Sequence, residues 1–164
     1  MPNPTLVPNA PPLVKGYTFE SMTPGLTFQT FARTIREADY TMFVQLAGFV
    51  EPIFLDDRCP TDSFYEGRLV PGQMTYTVGE GLVQQTNFMH GTGLALLHVE
   101  LDAIAPVYVG DTLDVIVEVT DSRPTSQTGR GVVTSQQTVR NQRREAVLSY
   151  AAVRLIRSAD ATQS

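Results

Sequence analysis

From Gly93 onward the sequence offers strands and little else, and that run limits the fold more than any other feature. In "GLALLHVELDAIAPV", Leu97, Val99 and Leu101 alternate with His98, Glu100 and Asp102. In "DTLDVIVEVTD", Leu113, Val115, Val117 and Val119 share one face. "GRGVVTSQQTVRN" and "EAVLSYAAVRLIR" are joined by Asn141 to Arg144, a short polar turn of hairpin type. Period-two alternation marks each segment as a strand. Consecutive strands with short turns pair antiparallel.

The element that such a sheet needs on one face lies immediately upstream. In "GQMTYTVGEGLVQQT", Met74, Val78 and Leu82 fall at i, i+4 and i+8 of a helix. Gly79 and Gly81 would each cost an exposed helix about 1 kcal/mol. They make sense where the helix lies tight against a sheet, so this helix is expected to be central and buried. Before it, Leu26 to Ile35 alternates like a strand. Thr34 and Glu37 then form a T-x-x-E capping box, which predicts a helix start. Met42, Phe43, Leu46 and Ala47 are its expected apolar face, and Gly48 its end. Strand, helix, loop, long helix and four strands make an α+β domain, an antiparallel sheet wrapped around a central helix. The sheet's second face needs cover, which predicts self-association.

At 164 residues the chain suits one domain with a real core. Residues 1–15 read as a proline-rich extended arm, with five prolines in the first twelve positions. The domain spans 16–157, and 158–164 form a polar tail expected to fray. A net charge of −5 argues against a nucleic-acid partner, which would need clustered cations. Cys59, the single cysteine, cannot form an internal disulfide, which fits a reducing compartment. The N-terminus has no basic region followed by an apolar one, and no apolar run reaches membrane-spanning length. A cytoplasmic protein with no membrane partner is the expectation.

Four segments carry a family resemblance. They are "GYTFESMTPGLTFQTFARTIREADYTMFVQLAG", "FYEGRLVPGQMTYTVGEGL", "GTGLALLHVELDAIAPVYVGDTL" and "NQRREAVLSYAAVRLI". In order and spacing they resemble the opening strand and first helix, the "F-G-R-I-V-H-G" turn, the "P-V-x-x-G-D-T-L" turn and the last hairpin of MaoC-like dehydratases and (R)-specific enoyl-CoA hydratases. The resemblance covers nearly all of 16–157 and implies the hotdog fold, a dimer or higher hotdog oligomer, and an acyl substrate carried as a CoA or carrier-protein thioester. It implies no cofactor.

The same resemblance places the family's chemistry in "GFVEPIFLD", opposite a pattern like G-D-x-N-P-x-H-x-D. Gly48, Pro52 and Asp56 match the frame. Phe49 stands where the family's catalytic Asp would be, and Phe54 where its His would be. Hydrating an α,β-unsaturated thioester needs one group to activate water and another to protonate the α-carbon. A phenyl ring does neither. Gly72 keeps the glycine whose N–H polarises the thioester carbonyl in the family, and Pro71 replaces the His before it. The reading is a retained, apolar pocket in which Phe49, Phe54, Pro71 and Gly72 bind substrate and standard hydration is absent.

Glu51, between the two phenylalanines, is a candidate acid or base if an apolar setting raises its pKa; otherwise it is a solvated loop carboxylate. Asp56, beside Asp57 and Arg58, is the second candidate, with bracing of the loop as its other reading. Arg68 reads as an ion-pair partner of Glu66 or a loop Asp, or as a contact for a ligand phosphate or carboxylate. His90 is a candidate substrate contact because Gly91 and Gly93 beside it permit close approach. Tyr40, Tyr65 and Tyr76 are either hydroxyl donors or core. His90 and His98 are not spaced as metal ligands, so no metal is expected. Two functions stay open. One is a hydro-lyase-like, isomerase or cyclase enzyme on an acyl-thioester or polyketide-like substrate, using Glu51 or Asp56. The other is a non-catalytic binding or partner subunit of a hotdog dimer.

Overall fold

The computed structural model describes residues 14–56, 58, 65 and 67–163. Asp57, Cys59, Glu66 and most of the proline-rich arm lie outside the described residues. The sheet contains β1 (Thr27–Gln29), β2 (Arg33–Thr34), β3 (Gly93–Ala103), β4 (Thr112–Pro124), β5 (Arg130–Arg140) and β6 (Ala146–Arg157). Its order is β1-β4-β5-β6-β3, with β2 also on β4, and every pairing is antiparallel. The helices are α1 (Glu37–Ala47), the single turn α2 (Pro52–Leu55) and α3 (Gly72–Gln85). The expected α+β arrangement, a sheet around one central helix, is what forms.

The core lies between α3 and the inner face of β4, β5 and β6. Leu113, Val115, Val117 and Val119 are fully buried there, as their alternation predicts. Burying a side chain of this size is worth about 1.5–3 kcal/mol, so these four alone are a large part of what holds β4 in register. Met74, Val78 and Leu82 are buried on the facing side of α3. A Cβ at Gly79 would lie 2.9 Å from Val139 Cγ2, whereas one at Gly81 would meet nothing within 4 Å. Only Gly79 is demanded by close packing, and Gly81 is not.

The opening segment differs from the single strand expected. Between β1 and β2 the Thr30 hydroxyl accepts the Val115 N–H at 3.0 Å and donates to the Phe31 carbonyl at 2.8 Å. A side chain thus takes a ladder bond from the backbone and splits the strand. The first helix also begins later than the T-x-x-E reading predicts. Its N-cap is Arg36, whose N–H donates to Asp39 Oδ2 at 2.9 Å, so the reciprocal acid is Asp39 rather than Glu37. Gly48 ends the helix in the left-handed conformation, φ 71°. The buried side of α1 is Tyr40 and Val44, one turn apart, with Phe43 half-buried. Met42, Leu46 and Ala47 are exposed instead, because Tyr40 is the side chain held inward, its hydroxyl bonded to the Phe54 carbonyl.

β3 is the sheet's edge and is exposed along almost its whole length. A register shift between Leu96 and His98 removes Leu97 from the alternation with Val99 and Leu101. Leu96, Val99 and Leu101 stand opposite Arg154, Ala152 and Tyr150, all buried, and so face the α3 side. The helix packs over β4 and β6 rather than over β3. Leu96 is therefore 54% exposed and Leu101 40% exposed despite facing inward. At the other end, the tail is tied at its start: the Ser158 hydroxyl bonds Glu20 Oε1, and the Ala159 N–H donates to Glu20 Oε2 at 3.2 Å. A 3-10 turn follows at Asp160–Gln163. Among the described residues no helix is long and apolar enough to cross a membrane.

Candidate functional site

The approach to α3 is stitched to the β3–β4 connection. Leu69 bridges to Tyr108, the Val70 N–H donates to the Val107 carbonyl at 2.8 Å, and the Val109 N–H to the Arg68 carbonyl at 3.1 Å. This fixes Pro71, the N-cap, in an extended conformation with φ −54° and ψ 139°. Gly72 is the first helical residue and is exposed. The first N–H groups of a helix have no partner within it and carry the positive end of its dipole. Here that end opens on a cleft of about 290 Å³. Leu69, Ile104, Val107, Val147 and Leu148 are among the residues that line it, together with Gly72, Thr75 and Tyr65. The arrangement offers an apolar surface with an electropositive helix end at one side.

The loop candidates Phe49, Glu51, Phe54 and Asp56 do not line this cleft. Phe49 and Phe54 meet edge to face with centroids 5.6 Å apart, and Phe43 stands 5.7 Å from Phe49. All three are partly buried against the core. Tyr40, which is buried, donates its hydroxyl to the Phe54 carbonyl at 2.7 Å. Burial pushes that hydroxyl's pKa up. The Arg68 guanidinium lies 5.3 Å from the centre of the Tyr40 ring and donates to Glu37 Oε1 at 2.6 Å. Arg68 thus has an ion-pair role, with Glu37 as a partner.

Glu51 is exposed at the N-cap of α2. Asp56 closes α2 and accepts from the Arg58 N–H, Nε and Nη2, each at 2.9 Å. The Arg58 guanidinium holds the Asp56 carboxyl below the usual carboxylate range. That geometry is a loop brace and favours the ionised form. His90 is not brought to the cleft. It lies past the C-terminus of α3, beyond the far end of a helix roughly 20 Å long at 1.5 Å per residue, and its carbonyl accepts the Gly16 N–H at 3.0 Å. Tyr65 lines the cleft, whereas Tyr76 packs edge to face on Tyr150 at 4.9 Å. Among the described residues no three His, Cys, Asp or Glu side chains converge as a metal site.

One polar cluster has no counterpart in the sequence reading. Glu80 of α3 accepts from Arg154 Nη2 at 2.7 Å and from the Tyr150 hydroxyl at 2.9 Å, and from Gln84 at 2.7 Å. Arg154 Nη1 also donates to the Ser135 hydroxyl at 3.0 Å. Burial first, and then the charge of Glu80, push the Tyr150 hydroxyl's pKa far up. The signal was present: Arg154 keeps the parity of Leu148, Tyr150, Ala152 and Ile156, so period-two alternation alone turns it inward.

No protein-family model and no curated protein matches the chain. Solved structures do. A monoamine oxidase regulatory protein from Archaeoglobus is 25% identical, with TM-score 0.81 over 89% of this chain and 97% of its own. A MaoC-like dehydratase from Rhodospirillum rubrum is 24% identical, with TM-score 0.73 over 87% of this chain and 98% of its own. A Mycobacterium tuberculosis protein with a double hotdog fold is 19% identical, with TM-score 0.71 over 88% of this chain but 45% of its own. (R)-hydratases are among the other structural neighbours. At these identities the likeness speaks for architecture. An antiparallel sheet curled around α3, with the turn at Pro71–Gly72 feeding its N-terminus, gives this chain the hotdog fold of the MaoC-like dehydratases and (R)-hydratases.

Proposed function

We propose that the protein binds an acyl thioester in the cleft at the N-terminus of α3, and that it does not carry out standard enoyl-CoA hydration. The carrying observation is Gly72, exposed as the first residue of α3 at the mouth of an apolar cleft. Its N–H can receive the thioester carbonyl, while Phe49 and Phe54, packed on one another, provide no proton-transfer group. If the bound thioester reacts, the chemistry is a lyase, isomerase or cyclase step. Glu51 and Asp56 remain the loop acids on offer, although Asp56 is engaged by Arg58.

The test is titration with a saturated short acyl thioester, presented on CoA and on a carrier protein in separate arms so that the carrier is identified. Gly72→Pro removes the N–H. Proline is favoured at the first helical position, and the extended Pro71 tolerates a following proline. Affinity should fall about fivefold, the worth of one hydrogen bond of about 1 kcal/mol, while Gly72→Ala, which keeps the N–H and meets nothing within 4 Å, should bind as the parent does. Absence of binding in both arms, or equal loss in the two variants, rejects the reading.

A second reading is a partner subunit of a hotdog dimer. It is favoured by the β3 edge, where Leu94, Leu96, Leu97 and Leu101 are exposed on a strand with one outer side unpaired among the described residues. A second copy, adding its own β3, covers that edge. A homodimer in solution supports this self-pairing, and a stable monomer opposes it.

A further inference from the structure

Thr75 and Thr77 sit two residues apart in the same helix and treat their hydroxyls differently. Thr77 is exposed, and its Oγ1 donates to the Gln73 carbonyl at 2.8 Å, a normal distance. Thr75 is 2% exposed, and its Oγ1 lies 3.4 Å from the Pro71 carbonyl. Hydroxyl donors settle at about 2.7–2.8 Å, so the Thr75 bond is stretched well beyond its minimum. The same carbonyl already accepts the Thr75 backbone N–H at 3.0 Å. The Thr75 hydroxyl thus has a partner, but a distant one, and a closer acceptor would hold it better.

The position of Thr75 supplies that closer acceptor. It lines the apolar cleft together with Gly72. Residues three apart lie on the same side of a helix, and side chains lean toward its N-terminus. The Thr75 side chain therefore leans over the turn that begins at Gly72. We infer that the Thr75 hydroxyl is a second hydrogen-bond donor to the carbonyl oxygen of a thioester seated on the Gly72 N–H. The inference rests on the thioester reading given above and adds to it the group that reads the carbonyl. When the ligand enters, the hydroxyl exchanges its long bond to Pro71 for a short one to the ligand, and the helix keeps its backbone bond to the same carbonyl.

The probes are S-butyryl-pantetheine and S-butyl-pantetheine. Both carry the pantetheine arm common to CoA and carrier proteins, but only the first has a carbonyl. The variants are Thr75→Val, which preserves shape and removes the hydroxyl, and Thr75→Ser, which retains it. The parent should prefer the thioester. Thr75→Val should lose about two- to tenfold in thioester affinity, the range of one hydrogen bond. Its thioether affinity should be unchanged, and Thr75→Ser should keep the preference. If Thr75→Val does not fold, Thr75→Ala is held to the same criterion. Equal loss on both probes, or no loss on the thioester, overturns the inference and leaves the Gly72 reading standing. If the parent binds neither probe, the thioester reading and this inference fall together.

Discussion

Gly79 and Gly81 lie on one helix, two positions apart, yet replacing each with alanine should move stability in opposite directions. Glycine in a helix interior is about 0.8–1 kcal/mol worse than alanine. At Gly81 a Cβ meets nothing within 4 Å, so Gly81→Ala should gain close to the full amount. At Gly79 the new methyl would sit 2.9 Å from Val139 Cγ2. Val139 is fully buried in β5, and a β-branched side chain has little freedom to turn away. Overpacking of this kind costs about 1–3 kcal/mol, so Gly79→Ala should be neutral to about 2 kcal/mol destabilising. Urea unfolding reads the difference directly. With a slope of about 2 kcal/mol/M, Gly81→Ala should raise the midpoint by about 0.4 M, while Gly79→Ala leaves it unchanged or lowers it by up to about 1 M. Val139→Ala in the Gly79→Ala background should recover part of the loss, as expected for residues in contact. Equal shifts for the two glycines would mean that α3 does not sit on Val139 as described.

Glu80→Ala leaves Arg154 buried without its carboxylate and should cost about 3–5 kcal/mol. Replacing both with apolar residues should cost less, which thermal unfolding of the single and double variants will separate. The unaltered protein should not hydrate crotonyl-CoA, measured by loss of enoyl absorbance; hydration at enzymatic rates would contradict the reading of Phe49 and Phe54 as a missing proton-transfer pair. Asp56 has a lowered pKa in the fold. Its bracing contribution is therefore present above the ordinary carboxylate pKa and is lost as pH falls through the lowered folded value. Limited proteolysis should show cleavage near residue 58 increasing over that acid window, and Asp56→Asn should cleave readily at neutral pH as well. Leu101→Lys on the β3 edge should shift a dimer to monomer in light scattering.

The strand run, the central helix and the need for Gly79 were legible because each is written in a local period or in a residue with a single physical excuse. Leu97 was misplaced because a register shift does not alter composition. The face of α1 was misjudged because Met42 and Leu46 satisfy a helical stripe as well as Tyr40 and Val44 do, and only the neighbouring elements choose between them. At the site, the turn at Pro71–Gly72 was readable from the family likeness. Thr75 was not, since nothing in the spacing of a threonine tells whether its hydroxyl bond is short or stretched. Of the Glu80–Arg154 pair, the inward parity of Arg154 is legible, but its partner, 74 residues away on a helix, is not.

The Tyr40 contacts have a consequence for how this loop is held. Its hydroxyl grips the Phe54 backbone carbonyl, not the ring, while Arg68, on the approach to α3, lies against its other side. The loop is thus anchored through main chain and through side chains outside it. The loop's course near Phe54 and the placing of Gly72 are held from elsewhere than the two rings. The path of the backbone here is therefore set by contacts other than those the two phenyl rings make with each other.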